Sequence, residues 1–262
     1  MNDSSATWLT CLAGVALVGG LAVGALALAA PIGVWLGLWD FGTGFRLLFA
    51  EEGVSATRIG LWMALGAIVI AIIVFVASRA LGVTSGKRLT MFALIGTVAA
   101  ALGYGVPSSY RPGPDVPPIH DITTDTADPP QFVEVLPLRA DAPNTTVYGG
   151  GERETPETLA AAQRSAYPDI EPRHFDEPPD RVFARAAAAA RALGWDIVAE
   201  APAEGRIEAT DTTFWFRFKD DIVIRIRPTT GGAVLDARSV SRVGRGDAGK
   251  NAARLREFFA AL

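Results

Sequence analysis

Long apolar runs occupy the first part of the chain, and polar and charged residues become frequent only after Pro107. The runs are Trp8–Leu38, Ile59–Ala80 and Leu89–Val106. Each is long enough to cross a hydrocarbon core of about 30 Å as a helix, and none has an ionisable residue at mid-depth. We therefore predict a membrane anchor of three transmembrane helices in residues 1–106, followed by a water-soluble domain.

The charges between the predicted spans indicate how the anchor is oriented. The second loop contains Arg79, Lys87 and Arg88 and no acidic residue, whereas the first mixes two arginines with three acidic residues. Cytoplasmic loops carry an excess of Lys and Arg. The N-terminus is then cytoplasmic and the C-terminal domain lies on the other side. In a bacterium this predicts an integral protein of the inner membrane with a periplasmic C-terminal domain.

A proline-rich segment, residues 107–155, follows the spans. Prolines at this density exclude helix and favour extended backbone, which predicts an extended linker and wrapping segment. Residues 107–179 contain thirteen acidic and five basic residues, whereas residues 180–262 contain eleven acidic and fourteen basic ones. This imbalance fits either an ordinary solvated surface or an acidic segment wrapped over the basic part.

Residues 156–262 combine helical and strand periodicities. Helical spacing follows Pro156 and Pro179, each suited to the first position of a helix, and returns near the C-terminus. Alternating apolar positions between them predict four or five strands, one of them across residues 214–218. The order predicts an α+β domain, with an antiparallel sheet packed by helices on one face.

The predicted strands also carry a polar stripe. Its members are Arg206, Glu208, Arg225, Arg227, Asp236 and Arg238. Opposite charges on neighbouring strands usually solvate the outer face of a sheet. The alternative is that the acidic segment covers this face.

The first candidate for chemistry is the group His120, Asp121 and Asp125. Histidine and carboxylates can act as acid and base or bind a metal. However, the group has one histidine, its spacing matches no known metal site, and turns in an extended segment need the same residue types. A catalytic role and a turn-forming role both stay open, and no metal is predicted.

The second candidate is the glycine-rich stretch Gly244–Lys250, which has the glycine and lysine spacing of a phosphate-binding loop. Asn251 stands where such a loop needs Ser or Thr, and no strand can follow, so we predict no nucleotide. The stretch is either a turn with Asp247 capping the last helix or a site for an anionic lipid headgroup. The basic residues of that anion-binding candidate are Arg242, Arg245, Lys250 and Arg254.

Five separate strings in the C-terminal part share a pattern with one known family. They are His120–Asp125, Ala166–Ile170, Gly205–Thr210, Phe218–Arg225 and Asp236–Gly244. Together they resemble the bacterial family described as domain of unknown function 1499, over roughly residues 115–262, whose members often carry an N-terminal membrane anchor. The resemblance implies no activity and no catalytic residues.

The leading functional hypothesis is a periplasm-facing binding or scaffolding domain with a role in the cell envelope and no cofactor. Its expected partners are the lipid bilayer and either an envelope protein or an anionic lipid headgroup, with no nucleic acid and no nucleotide. The alternative is an enzyme acting on an envelope component through His120, Asp121 and Asp125. The one cysteine, Cys11, lies in the first apolar run, so no disulfide can form within the chain.

Overall fold

A computed structural model describes residues 3–49, 55–108, 113, 115–151 and 154–262. The chain divides into two units. The first is Met1–Arg111 with Trp215–Arg217, and the second is Pro112–Phe214 with Phe218–Leu262.

Over its described residues the first unit has four helices. They are α1 (Asp3–Trp35), α2 (Phe41–Phe49), α3 (Ala56–Ala80) and α4 (Gly86–Ser108). The helices α1, α3 and α4 are long and apolar enough to cross a membrane, which confirms the predicted three-helix anchor. The sequence did not predict α2, a short helix that buries Leu48 and exposes Phe41 and Phe45.

Glycines let α1 and α4 approach closely. A Cβ atom added at Gly20 would lie 1.9 Å from the carbonyl oxygen of Gly96, and one added at Gly96 would lie 2.0 Å from the carbonyl oxygen of Ala16. In a membrane, where the hydrophobic effect does not drive helices together, such backbone proximity provides the packing. The crossing of α1 and α4 therefore depends on residues without side chains.

The second unit is an α+β domain, as predicted. Its helices are α5 (Pro156–Ala166), α6 (Pro179–Ala192) and α7 (Lys250–Ala261). Its strands are β1 (Asp121–Thr123), β2 (Arg173–Phe175), β3 (Asp196–Ala201), β4 (Arg206–Thr212), β5 (Lys219–Thr229) and β6 (Gly232–Ser241). They form one antiparallel sheet in the order β1-β6-β5-β4-β3, with β2 also paired to β6.

Local signals position the helices as the sequence predicts. Thr155 and Thr158 form a capping box at the start of α5, where Pro156 takes the first helical position. Pro179 does the same for α6. Gly194 follows the end of α6 with a φ of 78°, a conformation that glycine adopts without steric cost.

The two faces of the sheet bury different kinds of side chain. On the first face, Ile222, Ile224 and Leu235 pack with α6 and with Phe258 of α7 in the main apolar core. The second face carries the polar stripe, and its central members are also buried: Glu208, Asp236 and Arg238 are each 0% exposed. The centre of the stripe is therefore not solvated, whereas the Arg227 side chain at its edge is 43% exposed.

Residues 214–218 were predicted to be a strand, and that prediction is wrong. They belong to a loop that joins β4 to β5, since Thr212 pairs with Lys219. Arg217 has a φ of 55°, outside the extended region, and so interrupts the backbone of any strand. Phenylalanine occupies every second position from 214 to 218. Because these residues are not in a strand, the alternation does not mark one face of a sheet.

The proline-rich segment was predicted to exclude helix, which is also wrong. A short 3-10 helix spans Leu136–Arg139 and begins with Pro137 near its first position. Proline suits that place because its fixed φ is helical and its missing N–H would have no partner there. The same segment contributes β1 to the sheet.

We predict that Gly20→Val disrupts the packing of the spanning helices, whereas Gly14→Val does not. The new side chain at Gly20 would collide with the backbone of Gly96, and overpacking of this kind costs about 1–3 kcal/mol. A Cβ at Gly14, on the same helix, meets no atom within 4 Å. The measurement is the apparent melting temperature of the full chain in detergent. Equal melting of both variants and the parent would contradict this packing.

Candidate functional site

Residues 124–148, which we call the strap, lie across the second face of the sheet. The Thr124 N–H donates to the Ala237 carbonyl oxygen at 2.9 Å. Further along, Phe132 and Val135 pack against Val223 and Val240 in a small apolar cluster. The strap thus covers the polar stripe and adds a third layer to the domain.

Arg238 links the strap to the sheet. It is 0% exposed and forms a two-pronged ion pair with Asp121, with Nε–Oδ1 of 2.9 Å and Nη2–Oδ2 of 2.7 Å. The same guanidinium donates to the carbonyl oxygens of Pro130 at 3.1 Å and Thr146 at 2.7 Å. One buried cation therefore joins β6, β1 and two separate parts of the strap.

Glu208 binds the middle of the strap. Its carboxylate accepts hydrogen bonds from the backbone N–H groups of Val133, Glu134 and Val135 at 3.0, 3.1 and 2.8 Å. It also pairs with Arg206 on the same strand. These three N–H groups lie in a turn, where neither a helix nor a sheet provides a hydrogen-bond acceptor. The Glu208 carboxylate accepts from all three.

Asp221 forms a third buried centre. Arg139 Nη1 lies 2.6 Å from its Oδ2, and Arg242 approaches both oxygens at 2.8 Å. Thr210 donates its hydroxyl to Oδ1 at 2.6 Å. Burial lowers the pKa of the Arg139 guanidinium, and the charge of Asp221 opposes that shift. Arg242 also donates to the Leu138 carbonyl oxygen at 2.6 Å, which fixes the end of the 3-10 helix.

Asp236 is a further buried charged residue on this face of the sheet. Its Oδ2 lies 3.0 Å from Arg225 Nη2 and 2.8 Å from Arg227 Nη2. Arg225 also reaches Asp125, with 3.3 Å between Nη2 and Oδ2. Asp125 Oδ1 accepts the N–H groups of Ala127 and Asp128, so this carboxylate both shapes a turn of the strap and pairs with β5.

The candidate catalytic residues contact three different groups. Asp121 binds Arg238, and Asp125 binds Arg225 and its own turn. His120 places its ring Nδ1 3.4 Å from the Arg245 carbonyl oxygen. Because their partners differ, the contacts of these side chains do not assemble an acid–base pair. Within the described ranges, no three His, Cys, Asp or Glu side chains are grouped to hold a metal ion.

The four basic residues of the anion-binding candidate divide into two pairs. Arg242 is bound to Asp221, and Arg254 is bound to Asp211 at 2.8 Å and Asp220 at 2.6 Å. Arg245 and Lys250 are exposed. The guanidinium groups of Arg242 and Arg254 therefore serve the fold.

An acidic side chain occupies the start of α7, where an anion would bind. Asp247 accepts the N–H groups of Gly249 and Asn251, each at 2.7 Å. Burial raises the pKa of this carboxyl, and the two backbone hydrogen bonds oppose the shift. The N-cap residue of α7 is Gly249, and Asp247, two residues earlier, accepts the Asn251 N–H of the first turn.

Sequence reasoning missed Arg139 and Asn251. Asn251 is 0% exposed, donates to the His120 carbonyl oxygen at 2.9 Å and bonds to Ser239 and Ser241. It was noticed only as a departure from a phosphate-binding pattern. Arg139, one of three arginines in the proline-rich segment, gave no signal of its long-range partner.

These features define a membrane-anchored α+β domain whose sheet is covered by helices on one face and by a strap on the other. The chain belongs to the family described as "Protein of unknown function (DUF1499)", whose model matches residues 121–262. The match begins at β1 and includes the strap and the whole sheet. Comparisons with curated proteins and with solved structures found no match.

We predict that Asp121→Ala destabilises the domain by about 3–5 kcal/mol, because it leaves the Arg238 cation buried without its counter-charge. The apolar double variant Asp121→Leu with Arg238→Met should recover a large part of this loss. The control is Asp128→Ala, which removes a carboxylate that is 67% exposed and should cost no more than about 1 kcal/mol. The measurement is urea unfolding of the full chain in detergent, followed by near-UV circular dichroism. Unchanged stability of Asp121→Ala would show that the pair does not hold the strap.

Proposed function

We propose that the protein is a membrane-anchored binding or scaffolding domain that faces the periplasm of a bacterial cell and acts in the cell envelope. The observation that carries this proposal is the internal pairing of its buried charges, above all Asp121 with Arg238. Catalytic groups need an accessible site and free reactive atoms. Asp121 and Asp125, which first suggested chemistry, use those atoms in ion pairs with Arg238 and Arg225.

The proposed orientation is supported by the positions of the basic residues in the anchor. Arg79 lies in the last turn of α3, and Lys87 and Arg88 lie at the start of α4. These three cations therefore belong to the same connection between two spans, which contains no acidic residue. The positive-inside rule assigns that connection to the cytoplasm. After one further span, the C-terminal domain is on the opposite side of the inner membrane.

The proposed partners follow from this location. The bilayer is the first of them, because the three apolar helices need it. The exposed Arg245 of the glycine-rich loop suits contact with an anionic lipid headgroup. The remaining exterior of the domain is then available to a protein of the envelope.

The orientation can be tested with single cysteines, since Cys11 is the one native thiol. In a Cys11→Ser background, Thr230→Cys places a thiol at the exposed turn between β5 and β6, and Thr84→Cys places one in the connection between α3 and α4. We predict that a membrane-impermeant maleimide labels Thr230→Cys in intact bacterial cells. Thr84→Cys should react only after the inner membrane is opened. The reverse pattern would contradict a periplasmic domain.

A further inference from the structure

The strand β3 forms an open edge of the sheet. The strand order ends at β3, which pairs with β4 on one side. Over the described residues, no backbone group of residues 196–201 has a hydrogen bond outside its ladder with β4. The strand contains neither lysine nor proline, two residue types that block further pairing at natural sheet edges. Such an edge is a template for another strand.

The phase of the ladder shows which backbone groups of β3 point outward. In an antiparallel pair, residues that exchange hydrogen bonds alternate with residues that do not. The Ile226 N–H donates to the Gly205 carbonyl oxygen at 2.7 Å, so Gly205 faces β5. The next residue, Arg206, therefore faces β3, where its partner is Ala201. Because Ala201 faces β4, the residue before it, Glu200, directs its N–H and carbonyl groups away from the sheet.

Exposed apolar side chains lie next to this edge, on the face that the strap covers. Val198 of β3 packs against the cluster that contains Phe132 and Val135 of the strap. Beside these buried residues, Val133 is 46% and Leu136 is 45% exposed. We call Val133, Leu136 and Val198 the apolar shelf. When a peptide adds a strand to a sheet, backbone hydrogen bonds provide affinity, and sites of this kind accept its alternate side chains.

The unpaired charges around the open edge are acidic. Asp196, at the start of β3, and Glu134, of the strap, are exposed, and within the described part of the chain neither side chain forms an ion pair. Glu200 is paired with Arg191. Pairing β3 with a second copy of itself would bring two acidic strands together, and like charges across strands are destabilising. The charges therefore favour a basic partner over a second copy.

We propose that the outer edge of β3 is a docking site for an extended segment of another protein, which adds a strand to the sheet. Glu200 provides the backbone donor and acceptor, and the apolar shelf accepts alternate apolar side chains of the segment. Lysine or arginine side chains of the segment pair with Asp196 and Glu134. This inference rests on the proposed binding role and specifies its partner as an extended, basic and alternately apolar segment.

The test measures the affinity of the full chain in a neutral detergent for a fluorescein-labelled heptapeptide of alternating lysine and valine, by fluorescence anisotropy. Glu200→Pro removes the outward N–H at a position where an edge strand tolerates proline. Glu200→Gln is the matched control, because it keeps that N–H while losing the same carboxylate. We expect Glu200→Pro to weaken binding by about tenfold or more, whereas Glu200→Gln stays close to the parent.

Two altered peptides make the test independent of any variant. On the parent protein, we expect a heptapeptide with methylated backbone nitrogens to bind about tenfold more weakly, because it has lost its donors. The same loss is expected when glutamate replaces lysine. Near-UV circular dichroism reports whether Glu200→Pro is folded, and the altered peptides decide the matter if it is not.

Several results would overturn the docking site. They are absence of binding to the parent, unchanged binding by folded Glu200→Pro, and equal binding of the methylated or the glutamate peptide. Dimerisation of the parent that Glu200→Pro abolishes, measured by light scattering, would show that a second copy occupies the edge instead. An inverted labelling pattern of Thr230→Cys in cells, with peptide binding retained, would reject the periplasmic orientation alone. The two proposals can therefore fail separately.

Discussion

The buried ion pair between Arg238 and Asp121 is the interaction on which the position of the strap depends. A guanidinium that is removed from water needs a counter-charge and acceptors for its remaining N–H groups, because burying a lone cation costs several kcal/mol. Asp121 provides the charge, and the carbonyl oxygens of Pro130 and Thr146 provide the acceptors. The strap must therefore follow one path over the sheet for this cation to be tolerated.

This constraint explains why so many charged residues of the domain are paired within the fold. Glu208 satisfies backbone donors of the strap, and Asp221 brings Arg139 of the strap together with Arg242, which follows β6. A hydrophobic strap could cover the same face, but buried guanidinium and carboxylate groups need hydrogen-bond partners in good geometry. The buried charges of this face are thus neutralised within the domain.

Much of the architecture could be predicted from the sequence, because it depends on local signals. Apolar length identifies the spans, and the cap at Thr155 and the proline at position 179 identify the starts of two helices. Two predictions failed because two local signals in the same residues indicated different structures. The alternation across residues 214–218 is typical of a strand, but Arg217 has a positive φ. Prolines generally oppose helix, but Pro137 lies at the start of the 3-10 helix, where proline is tolerated. The partners of Arg139 and Arg238 lie about a hundred residues away, so no local pattern could indicate them.

The most direct test of the account is amide hydrogen exchange in the strap of the full chain in detergent. The N–H groups of Val133, Glu134 and Val135 donate to the buried carboxylate of Glu208. Amides whose hydrogen bonds break only on global unfolding exchange most slowly. We predict that they exchange as slowly as the amides shared between β5 and β6. Exchange at the rate of an unstructured linker would contradict the claim that buried charges make the strap part of the fold.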